Sequence, residues 1–287
     1  MTDCIMQDQM AMAEMIDSRD FSRYNPEGSA LRRDQMELLR MLEKLAGICD
    51  ANDIPWWLSS GTLLGAIRHK GFIPWDDDVD IVMFREDCLR LEKVLLEMED
   101  DEYVFHSNKT DPDYVYVFGK FRKRDGEYEV MDRRSGYYKW RGLSIDIFSI
   151  EKTSYLAAQL ARFFYKTALR VSQNVKNRKW RHRLIAAANW WGYRCVFPFF
   201  RFIGRLNPNG EYHYTMGIGW AKSTFYMKDI LPLSRASFEG RMMPVPKDAD
   251  AYLTNVYGDW RKLPSDAQIK KAIHSREYRD EIFPEDK

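Results

Sequence analysis

Reading from the N-terminus, a sustained apolar periodicity first appears at Leu31, Leu38, Leu42, Leu45 and Cys49. Positions three, four and seven apart share one face of a helix, so a helix is expected from Leu31. Ile54–Leu58 is a short β-prone run, and the small-residue turn Ser60-Gly61-Thr62 precedes a second helix over Leu63–Arg68. Gly71–Asp77 contains Pro74 and reads as a loop, and Val79–Phe84 reads as a buried strand. Arg85–Glu99 predicts an amphipathic helix whose apolar positions are Leu89, Val94, Leu95 and Met98. Tyr103–His106, Tyr114–Arg122 and Leu143–Phe148 are further β-prone runs. Residues 152–206 read as mostly helical, and 207–287 as mixed, with a turn at Asn207-Pro208-Asn209-Gly210.

Helices and strands in this mixed order predict an α+β class: a mixed sheet with flanking helices, plus a basic, mostly helical insertion. The expected organisation is a lead-in over 1–30, helical near Gln7–Ile16, then a core domain over 31–150. A basic aromatic segment over 151–206 and a C-terminal block over 207–287 follow, the block packing on the core.

Composition narrows the class. With 45% hydrophobic and 30% charged residues, the chain resembles an ordinary globular protein. A net charge of +1 excludes a generic polyanion binder, and nucleic acid is not an expected partner. Cys4, Cys49, Cys88 and Cys195 are widely separated, against a zinc site or a disulfide framework. The acidic, Met-rich start lacks the pattern of a signal peptide, and no stretch approaches 18 uncharged apolar residues. A cytoplasmic setting is expected, with peripheral contact at the inner face of the cell membrane.

The candidate chemistry lies in Trp75-Asp76-Asp77-Asp78-Val79-Asp80. On a strand, residues two apart point the same way, so the carboxylates of Asp78 and Asp80 converge. Two adjacent anions repel each other, and hard oxygen donors favour Mg²⁺ or Mn²⁺ as the cofactor. A bare D-x-D is more often a solvated acidic loop. Two features shift that balance. The turn at Gly61 and Thr62 opens a helix, where backbone N–H groups bind phosphate, although a plain N-cap uses the same residues. Asp146 sits inside an apolar strand, where a carboxylate needs a metal, a base role or a salt bridge.

Around these acids, Arg68 could clamp a diphosphate or neutralise Asp77, and Lys120 and Arg122 alternate on one strand face to carry leaving-group charge. Trp75 could stack on a base or cage a quaternary ammonium, or pack in the core. Asp76 and Asp77 are expected to orient the loop behind the metal ligands, or to lie in a solvated turn.

A phosphate turn, paired acids on one strand and a third acid on another form the layout of the nucleotidyltransferase-fold superfamily. Within it, GTLLGAIRHKGFIPWDDDVDIVM resembles the signature of the LicD family, the bacterial phosphocholine transferases related to the fukutin group. GLSIDIFSI resembles that family's third acidic strand, and FEGRMMPVPKDADAYLTNVYGDWRKLP, with Tyr257, Gly258 and Trp260, its C-terminal block, followed by His274. The likeness runs from about Arg33 to His274, and 152–206 contribute no motif to it.

The resemblance implies that Asp78, Asp80 and Asp146 serve as metal ligands, Asp146 as ligand or general base. It further implies transfer of a phosphorylated alcohol from CDP-choline or another CDP-alcohol to a glycan or lipid-linked glycan hydroxyl. Two alternatives remain: a nucleotidyltransferase moving NMP to a sugar or small molecule, and a non-catalytic glycan- or membrane-binding protein. The basic and aromatic character of residues 160–205 adds an expected peripheral membrane contact.

Overall fold

The computed structural model describes residue 21 and residues 23–127, 137–218, 223–273 and 275–284. The helix expected near Gln7–Ile16, and His274, lie outside the described residues. Helix α1 (Ala30–Ala51) is capped by Ser29, whose hydroxyl accepts from the Arg32 N–H, and it buries Leu31, Leu38, Leu42, Leu45 and Cys49 as its periodicity predicts. Ordered packing begins before α1, because Tyr24 is buried against Trp75 and Phe283.

Strand β1 (Trp57–Leu58), helix α2 (Ser60–Arg68), strand β2 (Val79–Phe84) and helix α3 (Arg85–Glu97) follow in order. Helix α3 ends at Glu97 rather than Glu99, and its fully buried residues are Leu91 and Leu95. Leu89 is exposed, contrary to the expected face. Strands β3 (Tyr103–His106), β4 (Gly119–Lys123) and β5 (Ser144–Lys152) complete the centre of the sheet.

The β-prone run from Tyr114 becomes a strand only at Gly119. The Tyr114 hydroxyl donates to the Phe118 carbonyl at 2.9 Å, folding the intervening segment back on itself. The basic segment supplies α4 (Tyr155–Gln173), α5 (Arg178–Trp191), a π-helical turn (Gly192–Val196) and α6 (Phe197–Arg205). Then come β6 (Glu211–Tyr214), β7 (Phe225–Tyr226), α7 (Met227–Ile230), β8 (Ser234–Phe238), β9 (Arg241–Val245), α8 (Ala249–Tyr257), α9 (Asp266–Ala272) and α10 (Arg276–Ile282).

The sheet order is β1-β2-β5-β4-β3, with β2 and β5 parallel and the other neighbours antiparallel. Strand β5 is the axis. It pairs with β2 along Ile145–Ile150, and on its other edge with β4 at one end and β6 at the other. Its apolar and β-branched composition suits a strand covered on both faces.

A two-stranded hairpin, β8–β9, stands apart from this sheet. Its turn places Glu239 and Gly240 at φ 49° and 74°, the left-handed pair a tight hairpin requires. Glu239 accepts from Arg32 at 2.8 Å and from the Phe72 N–H at 3.1 Å, tying the hairpin to α1 and to the loop before β2. Among the described residues, no helix is long and apolar enough to cross a membrane.

Gly65 shows how tightly α2 lies on that loop. A Cβ there would meet the Gly71 carbonyl and approach the Ile73 nitrogen to 3.1 Å. Gly→Ala in a helix alone gains about 1 kcal/mol, whereas overpacking costs about 1–3 kcal/mol. The contact is with backbone that cannot swing away, so the cost prevails. Gly65→Ala is expected to lower stability in a urea titration, and an unchanged or raised midpoint would show that the loop yields.

Candidate active site

The parallel register of β2 and β5 puts Asp80 beside Asp146, and the antiparallel register of β4 and β5 puts Lys120 beside Asp146. Laterally paired residues project from the same sheet face. Asp80, Asp146 and Lys120 therefore form a row across three neighbouring strands, with Lys120 ion-paired to Asp146. That pair is the salt-bridge option left open for Asp146 by the sequence. Asp78 lies at the entry to β2, two residues before Asp80.

The start of α2 is fastened to β2 by two bonds. The Ser59 N–H donates to the Asp80 carbonyl at 3.1 Å, and the Asp80 N–H donates to the Thr62 hydroxyl at 2.9 Å. Ser60 holds φ at 48°, a left-handed conformation unusual for a side chain other than glycine. Thr62 thus binds β2 rather than capping α2. The Asp76 carboxylate packs directly against Gly61, where any side chain would collide with it. An anion at the first turn of a helix is favoured by the helix dipole. Gly61 and Thr62 accordingly build the frame of the acidic site in this structure.

Burial, then the negative charge of Asp78, raises the carboxyl groups of Asp76 and Asp80 well above the usual range. Asp77 and Asp80 add to the effect at Asp76, and Asp146 adds to it at Asp80. Asp77 takes another direction: its carboxylate accepts from the Ser275 N–H at 3.1 Å and anchors the C-terminal block. Gln35 on α1 donates to the Asp76 carbonyl at 2.9 Å, so the loop is pinned from that side as well.

Three expected substrate contacts are placed elsewhere. Trp75 is a core residue packed against Phe21, Tyr24 and His69, with no open ring face to cage a cation. Arg68 is buried and donates to the Trp260 carbonyl at 3.0 Å, with burial lowering its pKa to about 10. It holds α2 to the C-terminal block rather than reaching Asp77. Arg122 is buried and donates to the Gly142 carbonyl at 2.5 Å, so of the alternating pair Lys120 is the one ion-paired to Asp146.

The site also recruits residues that local sequence gave no reason to select. Burial and the charges of Asp76 and Asp80 raise the Tyr257 hydroxyl, although the residue as a whole is 46% exposed. Tyr214 on β6 lies near Asp80, and Ser59 shares a hydrogen bond of 2.9 Å with Tyr252 on α8. The family-like block around Tyr257 thus lies against one side of the acidic cluster.

Carboxylates raised by burial and then by their neighbours' negative charge are the kind of oxygen donors a hard divalent cation takes. The cluster is not a finished cage: among the described residues, no three Asp, Glu, His or Cys groups stand ready to hold a metal ion. Lys120 currently supplies the positive charge at Asp146.

Comparison with known proteins agrees with this layout. Residues 53–175 match the family model described as LicD/FKTN/FKRP, nucleotidyltransferase domain. The chain is 28% identical over 264 residues to the lipopolysaccharide cholinephosphotransferase LicD of Haemophilus influenzae, covering 84% of this chain and 94% of that protein. Shorter stretches resemble two human proteins. The ribitol 5-phosphate transferase FKRP is 42% identical over 60 residues, covering 20% of this chain and 12% of that protein. The ribitol-5-phosphate transferase FKTN is 39% identical over 61 residues, covering 21% of this chain and 13% of that protein.

Proposed function

We propose, from the LicD-family nucleotidyltransferase domain that residues 53–175 carry, that the protein transfers a phosphorylated alcohol from a CDP-linked donor to a glycan hydroxyl, releasing CMP. The observation that carries this reading is the row Asp80, Asp146 and Lys120 across β2, β5 and β4, inside the matched segment.

Asp78, Asp80 and Asp146 would hold Mg²⁺ or Mn²⁺, which when bound supplies positive charge to donor phosphate oxygens and to the leaving CMP. The protein's own groups then position the reactants. Lys120 lies on the same face as Asp80 and Asp146, where its ammonium can move from Asp146 to a donor phosphate oxygen. Asp146, released from Lys120, accepts the proton of the attacking hydroxyl. The hydroxyl oxygen forms its bond to the phosphorus bearing the alcohol, and the bond from that phosphorus to CMP breaks in line. Catalysis of this kind depends on positioning and electrostatics. The fastening of the Ser59–Thr62 turn to β2 serves that purpose by fixing Asp80.

The test is to incubate the purified protein and Mg²⁺ with CDP-choline, CDP-ethanolamine, CDP-glycerol or CDP-ribitol and a glycan acceptor. CMP release with at least one donor is the expected result. Pyrophosphate release from a nucleoside triphosphate, with no CMP from any CDP-alcohol, would overturn the reading in favour of nucleotidyl transfer.

A further inference from the structure

Helices α4 to α6 carry two kinds of apolar surface. On α4, Ala157, Ala161, Tyr165 and Leu169 recur every four residues and are buried. A second stripe, Leu156, Leu160, Phe163, Phe164 and Val171, occupies a different face and is exposed. Helix α6 repeats the arrangement more sharply: Phe197, Phe200 and Gly204 are buried, while Phe199, Phe202, Ile203 and Leu206 stand exposed on the opposite face. A helix apolar on both sides has one side left to cover.

The two exposed stripes join. Phe164 stacks on Phe200 at 6.0 Å, Phe163 meets Phe164 at 5.6 Å, and Phe199 meets Phe200 at 5.2 Å. Helix α5 adds Trp180, Leu184 and Trp191, again exposed and on one face by helical spacing. A contiguous apolar patch of this kind marks an interaction surface.

Charge selects the partner. Residues 153–209 contain no Asp or Glu. Two sets among the basic residues differ in their surroundings. Arg181 is bridged to Asp113 at 3.0 Å and Arg201 bonds Glu151 at 2.5 Å, so these hold the segment to the core. Arg170, Lys176, Lys179, Arg183, Arg194 and Arg205 are exposed. A second copy of this surface would bring like charges together, and a nucleic acid backbone would leave the aliphatic stripe wet.

We propose that α4–α6 form a docking surface for an anionic lipid bilayer. The exposed Phe and Leu side chains enter the interface, and the basic side chains meet the headgroups. This surface stands independently of the chemistry assigned to Asp80.

Flotation with vesicles of phosphatidylglycerol and phosphatidylcholine tests it, against vesicles of phosphatidylcholine alone. The full chain is expected to float with the anionic vesicles at low salt and less so at high salt. Replacing Leu156, Phe163 and Phe202 by Ser should abolish flotation with an unchanged circular dichroism melt, because all three are more than half exposed. A charge variant, Arg170→Gln with Lys176→Gln, Lys179→Gln and Arg183→Gln, should weaken anionic partitioning on the order of 10²-fold or more. Arg181 is left intact for its bridge to Asp113. Flotation of the Ser variant equal to the parent's, equal binding to neutral vesicles, or no flotation at all would overturn the proposal. So would light scattering that shows a dimer abolished by the Ser substitutions, or tighter binding to duplex DNA than to the vesicles.

Discussion

Asp80→Asn is expected to reduce CMP release to background while the variant melts no earlier than the parent in chelator. Asp80 sits where β2, α2 and β5 meet, with its backbone N–H held by Thr62 and its carboxylate facing Asp78 and Asp146. Asparagine keeps the shape and removes the charge, so the frame persists and the cation affinity does not.

The direction of the pKa shift predicts the stability change. A carboxyl raised by burial and by Asp78 binds its proton more tightly in the folded chain than in the unfolded one. Its contribution is therefore lost as pH rises from the ordinary value of 3.8 through the raised folded value, and at neutral pH the charged form opposes folding. Removing that charge is expected to leave the melting temperature at pH 7 equal or higher, with the difference vanishing toward acid pH. Adding Mg²⁺ should raise the melting temperature of the parent and not of the variant. Asp78→Asn is expected to behave alike in turnover. Full activity of either variant, or of the parent in excess chelator, would remove the metal assignment. A lower melting temperature in Asp80→Asn would show that Asp80 is a structural anion. Such a gain in stability at the loss of activity is the usual mark of a functional charge cluster.

The elements that placed these acids were legible because their signals are local. Val79–Phe84 is a strand over the same residues that its apolar run predicted, and α1 buries the face its spacing marked. Leu143–Phe148 predicts a strand, and β5 forms there but runs on to Lys152, its apolar and β-branched residues suiting a strand covered on both sides. What failed was the placement of side chains whose partners lie far along the chain. Arg68 stands just before the acidic loop in the sequence, which suggests a diphosphate clamp or a partner for Asp77 and cannot show the Trp260 carbonyl, 192 positions away. Trp75 was read beside the acids, yet the segment at Phe21 and Tyr24 folds over it. Strand alternation linked Lys120 and Arg122 to one face, but Arg122 is drawn under the Gly142 turn. Leu89 met the helical pattern and is exposed, while Leu91, outside the expected set, is buried beside Leu95, because the helix takes its rotation from the surface it packs on. Tyr214, Tyr252 and Tyr257 join the cleft through β6 and α8 alone, and only the fold brings those elements to β2.

Asp146→Asn is expected to lower turnover on the order of 10²-fold or more, the range for loss of a general base, with a small change in melting temperature. The reason lies in its neighbours. Asp146 is the central member of the row, between Asp80 on β2 and Lys120 on β4. Its ion pair with Lys120 is only partly buried, at 18% and 16% side-chain exposure. An exposed pair contributes about 0–1 kcal/mol, whereas breaking a fully buried one costs about 3–5 kcal/mol. The geometry lies between the two cases, and the loss is held down because Lys120 left without Asp146 still has Asp80 one strand further on.

Lys120→Met separates the roles. If Lys120 carries donor phosphate charge, the variant loses turnover although Asp146 is intact, and KM for the CDP-alcohol rises. If Lys120 serves only to neutralise Asp146 in the resting protein, Lys120→Met retains turnover, and Asp146 binds Mg²⁺ more tightly in a thermal-shift titration. A base role for Asp146 further requires that the acidic limb of the pH–rate profile disappear in Asp146→Asn. Normal turnover of Asp146→Asn together with early melting would make the carboxylate a sheet-bracing group, and would leave Asp78 and Asp80 as the whole of the catalytic acid set.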